Sequence, residues 1–321
     1  EIAQCLVGSE MCIRDRFMTK AQICIMISIV VYLVAMVMIG VIYSKKTKNV
    51  GDFYLGGRKL GPLVTAMSAE ASDMSSYLLM GLPGLALVSG LAEVGWTVIG
   101  LAIGTYLNWL IVAKKLRKYS ARINAITIPD YFSKRYKDNS RLIMAVAALM
   151  IIIFFVPYTA SGFAACGKLF GTLFGIDYHI AMVVSAIVIV GYTSLGGFNA
   201  ASMTDFIQSI IMTAALIIVL VFGVNKAGGM EQVIANANDL AGYLDVFKGY
   251  DAATNSAGSF GAIKVVSTLA WGLGYFGMPH ILLRFMAIEN PNKVKISRRV
   301  AEIWVVISMA VAVLIGVVGM A

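Results

Sequence analysis

Residues 69–84 read Ala-Glu-Ala-Ser-Asp-Met-Ser-Ser-Tyr-Leu-Leu-Met-Gly-Leu-Pro-Gly. Within an apolar run over 62–86, one carboxylate, Asp73, is surrounded by the hydroxyls of Ser68, Ser72, Ser75 and Ser76. The stretch closes on Gly81, Pro83 and Gly84. A charge in lipid is costly, so an ionisable side chain at that depth marks a functional site. Serines compete with the helix for its backbone hydrogen bonds. The pattern predicts a helix broken at mid-membrane, its freed backbone groups turned toward a cavity instead of lipid. Carbonyls, hydroxyls and one carboxylate suit a hard cation. The N–H groups at a half-helix N-terminus suit a small carboxylate. The chemistry expected is that of a secondary transporter, binding a cation and a small zwitterion.

A second stretch, Trp-Gly-Leu-Gly-Tyr-Phe-Gly-Met-Pro-His over 271–280, holds three glycines and a proline. Such a segment cannot make a stiff helix. Trp271 and Tyr275, four apart, are expected on one face. Paired interrupted segments mark the substrate site of inverted-repeat transporters. Five spans separate the starts of these two, which fits a five-helix repeat.

The elements that must hold these stretches are apolar helices. Hydrophobic residues make up 59% of the chain, charged residues 13%, and the mean hydropathy is +0.83. A soluble domain carries about a quarter charged residues. Eight runs approach the roughly 20 residues that cross a bilayer: 22–43, 62–86, 93–113, 141–165, 180–196, 203–224, 262–288 and 300–320. The net charge of +9 does not point to nucleic acid, because its distribution is topological. Lysine and arginine concentrate between Lys45 and Lys59, Lys114 and Arg141, and Lys293 and Arg299. The loop over 225–261 carries Glu231, Asp239, Asp245 and Asp251 against Lys226 and Lys248. By the positive-inside rule the basic loops are cytoplasmic and the N-terminus is outside, in a multi-pass plasma-membrane protein.

Smaller features have plainer readings. The four cysteines, at 5, 12, 24 and 166, form neither a zinc pattern nor a disulfide framework. Span 22–43 reads as a peripheral, lipid-facing helix. Gly100 and Gly104 stand at the spacing that lets helices approach closely. Thr127 and Pro129 are placed to start a short interfacial helix. Pro157 lies mid-span beside Tyr158; the pattern leaves open a simple kink or a Tyr158 that faces the cavity. Residues 193–205 read as a tight inner hairpin, with Asp205 capping the helix that follows. His280 reads as structural or gating. Residues 1–17 match neither a span nor a signal peptide, and Met18-Thr-Lys reads as a start. The first 17 residues are therefore expected to be a foreign leader. The chain ends in an apolar run, which reads as truncation.

Several blocks resemble the sodium/solute symporter family, and within it the proline branch. They are Tyr54-Leu-Gly-Gly-Arg58, Ala71-Ser-Asp-Met-Ser75, Leu78-Leu-Met-Gly-Leu-Pro-Gly84, Ile128-Pro-Asp-Tyr-Phe132, and Trp271-Gly-Leu-Gly-Tyr-Phe-Gly with Pro279-His280. The resemblance implies an all-α, LeuT-like five-plus-five inverted-repeat fold with one extra N-terminal helix. It also implies about 13 spans, so residues 18–321 would be a partial transmembrane domain with about eight of them and an incomplete second repeat. It implies sodium-coupled symport of L-proline. Asp73 would support sodium coupling, with backbone oxygens of Ala71 and Met74 on the ion. Proline would sit among Ser75, Ser76, Tyr158, Trp271, Tyr275 and Pro279. The chain departs from the pattern at Ser76, where glycine is usual, and at Tyr77, where tryptophan is common. It departs also at Met278, where glutamine is frequent, and at Glu70, often glycine, which is expected to face the cytoplasmic vestibule. These departures bear on proline against a related amino acid or small organic solute.

Three rival classes are weaker. A channel needs a continuous polar pore, and the polar residues cluster at mid-depth. An enzyme needs a catalytic set, and the two histidines, His179 and His280, assemble none. A membrane sensor would need a signalling domain. Oligomeric state is not legible.

Overall fold

The computed structural model describes residues 19–320. The expected leader lies outside the described residues. By its contacts the chain divides into two units: residues up to Lys46 with Phe155–Gly196, and Thr47–Phe154 with residues from Gly197 onward.

The helices in chain order are α1 (Lys20–Ser44), α2 (Val50–Leu55), α3 (Pro62–Ser76), α4 (Leu82–Asn108), α5 (Lys114–Arg122) and α6 (Ile128–Arg135). They continue as α7 (Leu142–Phe174), α8 (Tyr178–Lys226), α9 (Met230–Asn238), α10 (Ala262–Leu269), α11 (Pro279–Ala287) and α12 (Val294–Met320). Each of the eight apolar runs falls on helix. Pro62–Arg122 is helical over 61 residues, about 90 Å at helical rise and about three times the hydrocarbon thickness. It must therefore turn back, and it does so at Gly90, with φ 67° and ψ −167°. Only glycine enters that region freely, and a Cβ there would stand 2.8 Å from the Tyr243 carbonyl oxygen. α8 breaks in the same way at Gly197, with φ 62° and ψ −158°. Within the segment 193–205, where a hairpin was expected, only Gly197 leaves helical geometry.

In the first unit, the Gln22 side chain donates to the Leu173 carbonyl at 2.8 Å. α1 opens on a capping box between Thr19 and Gln22. Its apolar side chains, Val31 and Met38 among them, are largely exposed, as a lipid-facing helix requires. α7 runs through Pro157.

The second unit holds the main core, where Trp109 packs on Phe285 with ring centroids 4.4 Å apart. Gly272 lies against Gly100 and Gly104, so closely that a Cβ at 104 would run into the Gly272 carbonyl. The small-residue spacing in α4 therefore serves packing, as expected, and its partner is the glycine-rich segment. One side of the unit is tied by Arg58. Its guanidinium donates to the Ser120 hydroxyl and to the carbonyls of Met286, Ser120 and Ala125 at 2.7–3.0 Å. Burial, then the neighbouring Arg117, pulls its pKa down to about 10, still charged at neutral pH. Leu60 and Ile288 form a parallel bridge beside it. Thr127 caps α6 by accepting from the Asp130 amide, as the sequence suggested.

The 225–261 segment is more ordered than a loop reading implies. It holds α9 and an antiparallel hairpin, β1 (Lys248–Asp251) with β2 (Ser256–Ser259). Tyr243 is fully buried and its hydroxyl donates to the Ala86 carbonyl at 2.9 Å. Short glycine- and serine-rich strands carry too little periodicity to be read in advance.

Candidate functional site

α3 is continuous only by its hydrogen bonds. At Ser75 the backbone turns to φ 44° and ψ −149°, a conformation that non-glycine residues reach at a cost of about 1–3 kcal/mol. Ser76 itself is helical, at φ −65° and ψ −16°. The strain therefore sits at Ser75 and not at Ser76. A π-helical turn, Tyr77–Gly81, follows, and such turns recur at functional sites.

The second interruption runs over Ala270–Gly277, a 3-10 segment. Met278 is extended, at φ −72° and ψ 108°, and Pro279 opens α11. Proline fits there because the first helical turn has no use for its missing N–H. The 3-10 winding overturns one expectation. At three residues per turn, positions four apart no longer share a face. Trp271 is 52% exposed, whereas Tyr275 is 5% exposed. The Trp271 ring lies 5.3 Å from that of Tyr77. Tyr275 points inward, with the Asp73 carboxylate and the Thr105 side chain beside its hydroxyl.

The two interruptions therefore face each other across Asp73. On its other side the His280 Nε2 stands 3.6 Å from Asp73 Oδ1. Asn108, in α4, donates to the Tyr275 carbonyl at 2.8 Å and so holds a main-chain oxygen that the loose winding would leave open. Ala71 and Met74 are buried beside Asp73, and the Met74 carbonyl also accepts from the Tyr77 amide. Ser75 is exposed, while Ser76 and Pro279 are half-buried. Tyr158 belongs to the other unit, where its ring lies 5.4 Å from Phe155.

Two residues have roles other than those expected. Glu70 does not face a vestibule. It is 2% exposed and accepts from Trp109 Nε1 at 2.8 Å. One helical turn carries it onto the α4 side of α3, where the indole N–H needs an acceptor. Asp205 does not cap a helix. It lies eight residues past the break in α8, beyond the first turn where the helix dipole acts. Its Oδ2 accepts from Arg284 at 2.6 Å and from the hydroxyls of Ser68 and Ser72 at 2.8 and 2.9 Å. Arg284 also donates to Ser68 and Ser72, both at 2.6 Å, and to the His280 carbonyl at 2.7 Å. The serines of the broken helix thus belong to a buried ionic cluster as much as to the break. Sequence patterning missed Arg284; an arginine inside an apolar run was the available signal.

Among the described residues no group of three or more histidine, cysteine or acidic side chains could hold a metal ion. Comparison with known proteins gives the family. Residues 53–321 match the sodium:solute symporter family. The chain belongs to that family. It is 44% identical over 299 residues to the osmoregulated proline transporter OpuE of Bacillus subtilis, covering 92% of this chain and 58% of that protein. It is 41% identical over 298 residues to the sodium/proline symporter of Escherichia coli, covering 92% of this chain and 57% of that protein. The chain thus spans somewhat over half the length of these relatives. A solved Na+-coupled sialic acid symporter, in a substrate-bound outward-open state, superimposes with a TM-score of 0.73 at 19% identity. That match covers 89% of this chain and 59% of the other. The likeness establishes the fold, the LeuT-like architecture that the family resemblance implied. The chain is a membrane protein with several apolar helices.

Proposed function

We propose that this protein carries L-proline into the cell together with Na+ by alternating access, with the site at the facing interruptions of 75 and 270–278. The observation that carries the proposal is that Tyr275, in the second interruption, lies beside Asp73, two residues before the backbone of Ser75 leaves helical geometry in the first. The names of the relatives support proline and sodium as the pair.

In this reading the carbonyls of Ala71 and Met74 hold Na+, with Asp73 supplying the charge. Proline lies with its carboxylate toward the backbone N–H groups freed at Ser75 and Ser76. Its ring and secondary ammonium rest against the aromatic rings of Trp271 and Tyr275, with cation–π attraction of about 0.5–2 kcal/mol. Pro279 shapes the far wall. Sodium favours substrate binding only to the extent that it binds the broken, substrate-competent form more tightly than the alternative. The driving force is the ion gradient plus about 2.3 kcal/mol per charge per 100 mV of potential. The basic loops lie in the cytoplasm and the N-terminus outside. The protein is read as a transporter and not an enzyme.

A second substrate, another amino acid or small organic solute, is kept open by Ser76, Tyr77 and Met278, which depart from the family pattern where specificity would be set. The deciding experiment is radiolabelled proline uptake into proteoliposomes carrying the full-length gene product, with and without an inward Na+ gradient. Sodium-stimulated uptake, competed by proline but not by pantothenate or sugars, is expected. Sodium-driven uptake of a different solute alone would move the assignment to the second reading.

A further inference from the structure

A cavity of about 610 Å³ opens in the second unit beside α5, α6 and the interrupted segment. Its chemistry is divided. One part is apolar, formed by Leu116, Ile128, Tyr131, Phe132 and Leu282. The other is cationic, formed by Lys115, Lys118, Arg122 and Arg135, all exposed. No carboxylate lines it. Among the described residues Lys115, Lys118 and Arg122 have no salt bridge, whereas the nearby Lys134 is paired with Asp130 at 2.9 Å. Arg135 lies over the Tyr119 ring at 4.9 Å, held beside the cavity mouth.

We propose that this cavity is a binding site for an anionic phospholipid, its phosphate among the four cations and an acyl chain along the apolar wall. A small free anion would leave the wall unused, and a neutral lipid would leave the cations unpaired. The position agrees. α5 continues directly from a long apolar helix through Trp109–Ala113, so its basic residues lie at the membrane boundary, where anionic headgroups are. Basic pockets at this depth attract such headgroups. Phe276 and Leu282 belong to the cavity lining and flank the extended Met278. A bound lipid would therefore buttress the interrupted segment.

The test is native mass spectrometry of the detergent-solubilised chain with added phosphatidylglycerol or phosphatidylcholine. Wild type should retain phosphatidylglycerol at least tenfold better than phosphatidylcholine. A triple variant, Lys115→Gln, Lys118→Gln and Arg122→Gln, should lose that retention by tenfold or more. A control variant that removes equal charge elsewhere, Lys45→Gln, Lys46→Gln and Lys48→Gln, should stay within twofold of wild type. Circular dichroism should show both variants folded. Equal retention of the two lipids, or equal losses in both variants, would overturn the site. Displacement by glycerol 3-phosphate at the lipid's own concentration would also overturn it, because the site would then be one for free phosphate esters.

Discussion

Arg284 and Asp205, on α11 and α8, meet at 2.6 Å with their side chains only 8% and 17% exposed. Ser68 and Ser72 of α3 hydrogen-bond to both partners. The pair therefore ties the helix after the second interruption to the helix that carries the first.

Removing one member should cost more than removing both. A lone buried charge is penalised by about 3 kcal/mol or more, while an apolar replacement of both partners is often near neutral. Arg284→Met and Asp205→Asn should each lower the thermal unfolding midpoint strongly. The double variant should recover most of the loss. Additive losses in a thermal unfolding cycle would mean that the two side chains act separately.

The approach of α4 to the interrupted segment makes a sharper steric test. A Cβ at 272 would collide with the Gly100 carbonyl, whereas at Gly274 nothing lies within 4 Å. Gly272→Ala should destabilise by about 1–3 kcal/mol, the usual cost of forcing extra atoms into a packed core. Gly274→Ala should be near neutral. Similar unfolding midpoints for the two variants would contradict the packing described.

Glu70 offers a third test, because its role here is to satisfy the Trp109 indole. Glu70→Gln keeps an acceptor and should cost little. Glu70→Leu leaves the buried N–H unpaired and should cost about 1–3 kcal/mol. If Trp109→Phe is combined with Glu70→Leu, most of that penalty should vanish in chemical denaturation. A full penalty in the double variant would show that Glu70 acts through something other than Trp109.

The fold and its two helix interruptions were legible because costly residues announce themselves. Asp73 in an apolar run and three glycines before Pro279 have no cheap place in a simple span; the structure breaks the helix two residues after Asp73 and winds the glycine segment as 3-10 helix. What was not legible depends on winding and on distant partners. Trp271 and Tyr275 diverge because the segment winds as a 3-10 helix, which the spacing alone does not reveal. The strain falls on Ser75 and not on Ser76. Glu70 and Asp205 were misread because their partners, Trp109 and Arg284, are 39 and 79 residues away in the chain. α9 and the hairpin were missed because they lack the apolar periodicity that marks the spans.

If sodium and proline share the interruption around Asp73, as proposed, equilibrium binding of labelled proline to purified wild type and Asp73→Asn across a sodium titration will show it. Sodium should tighten proline binding at least tenfold in wild type and have little effect in the variant, with weak proline binding remaining in both. An unchanged sodium dependence in Asp73→Asn would contradict it.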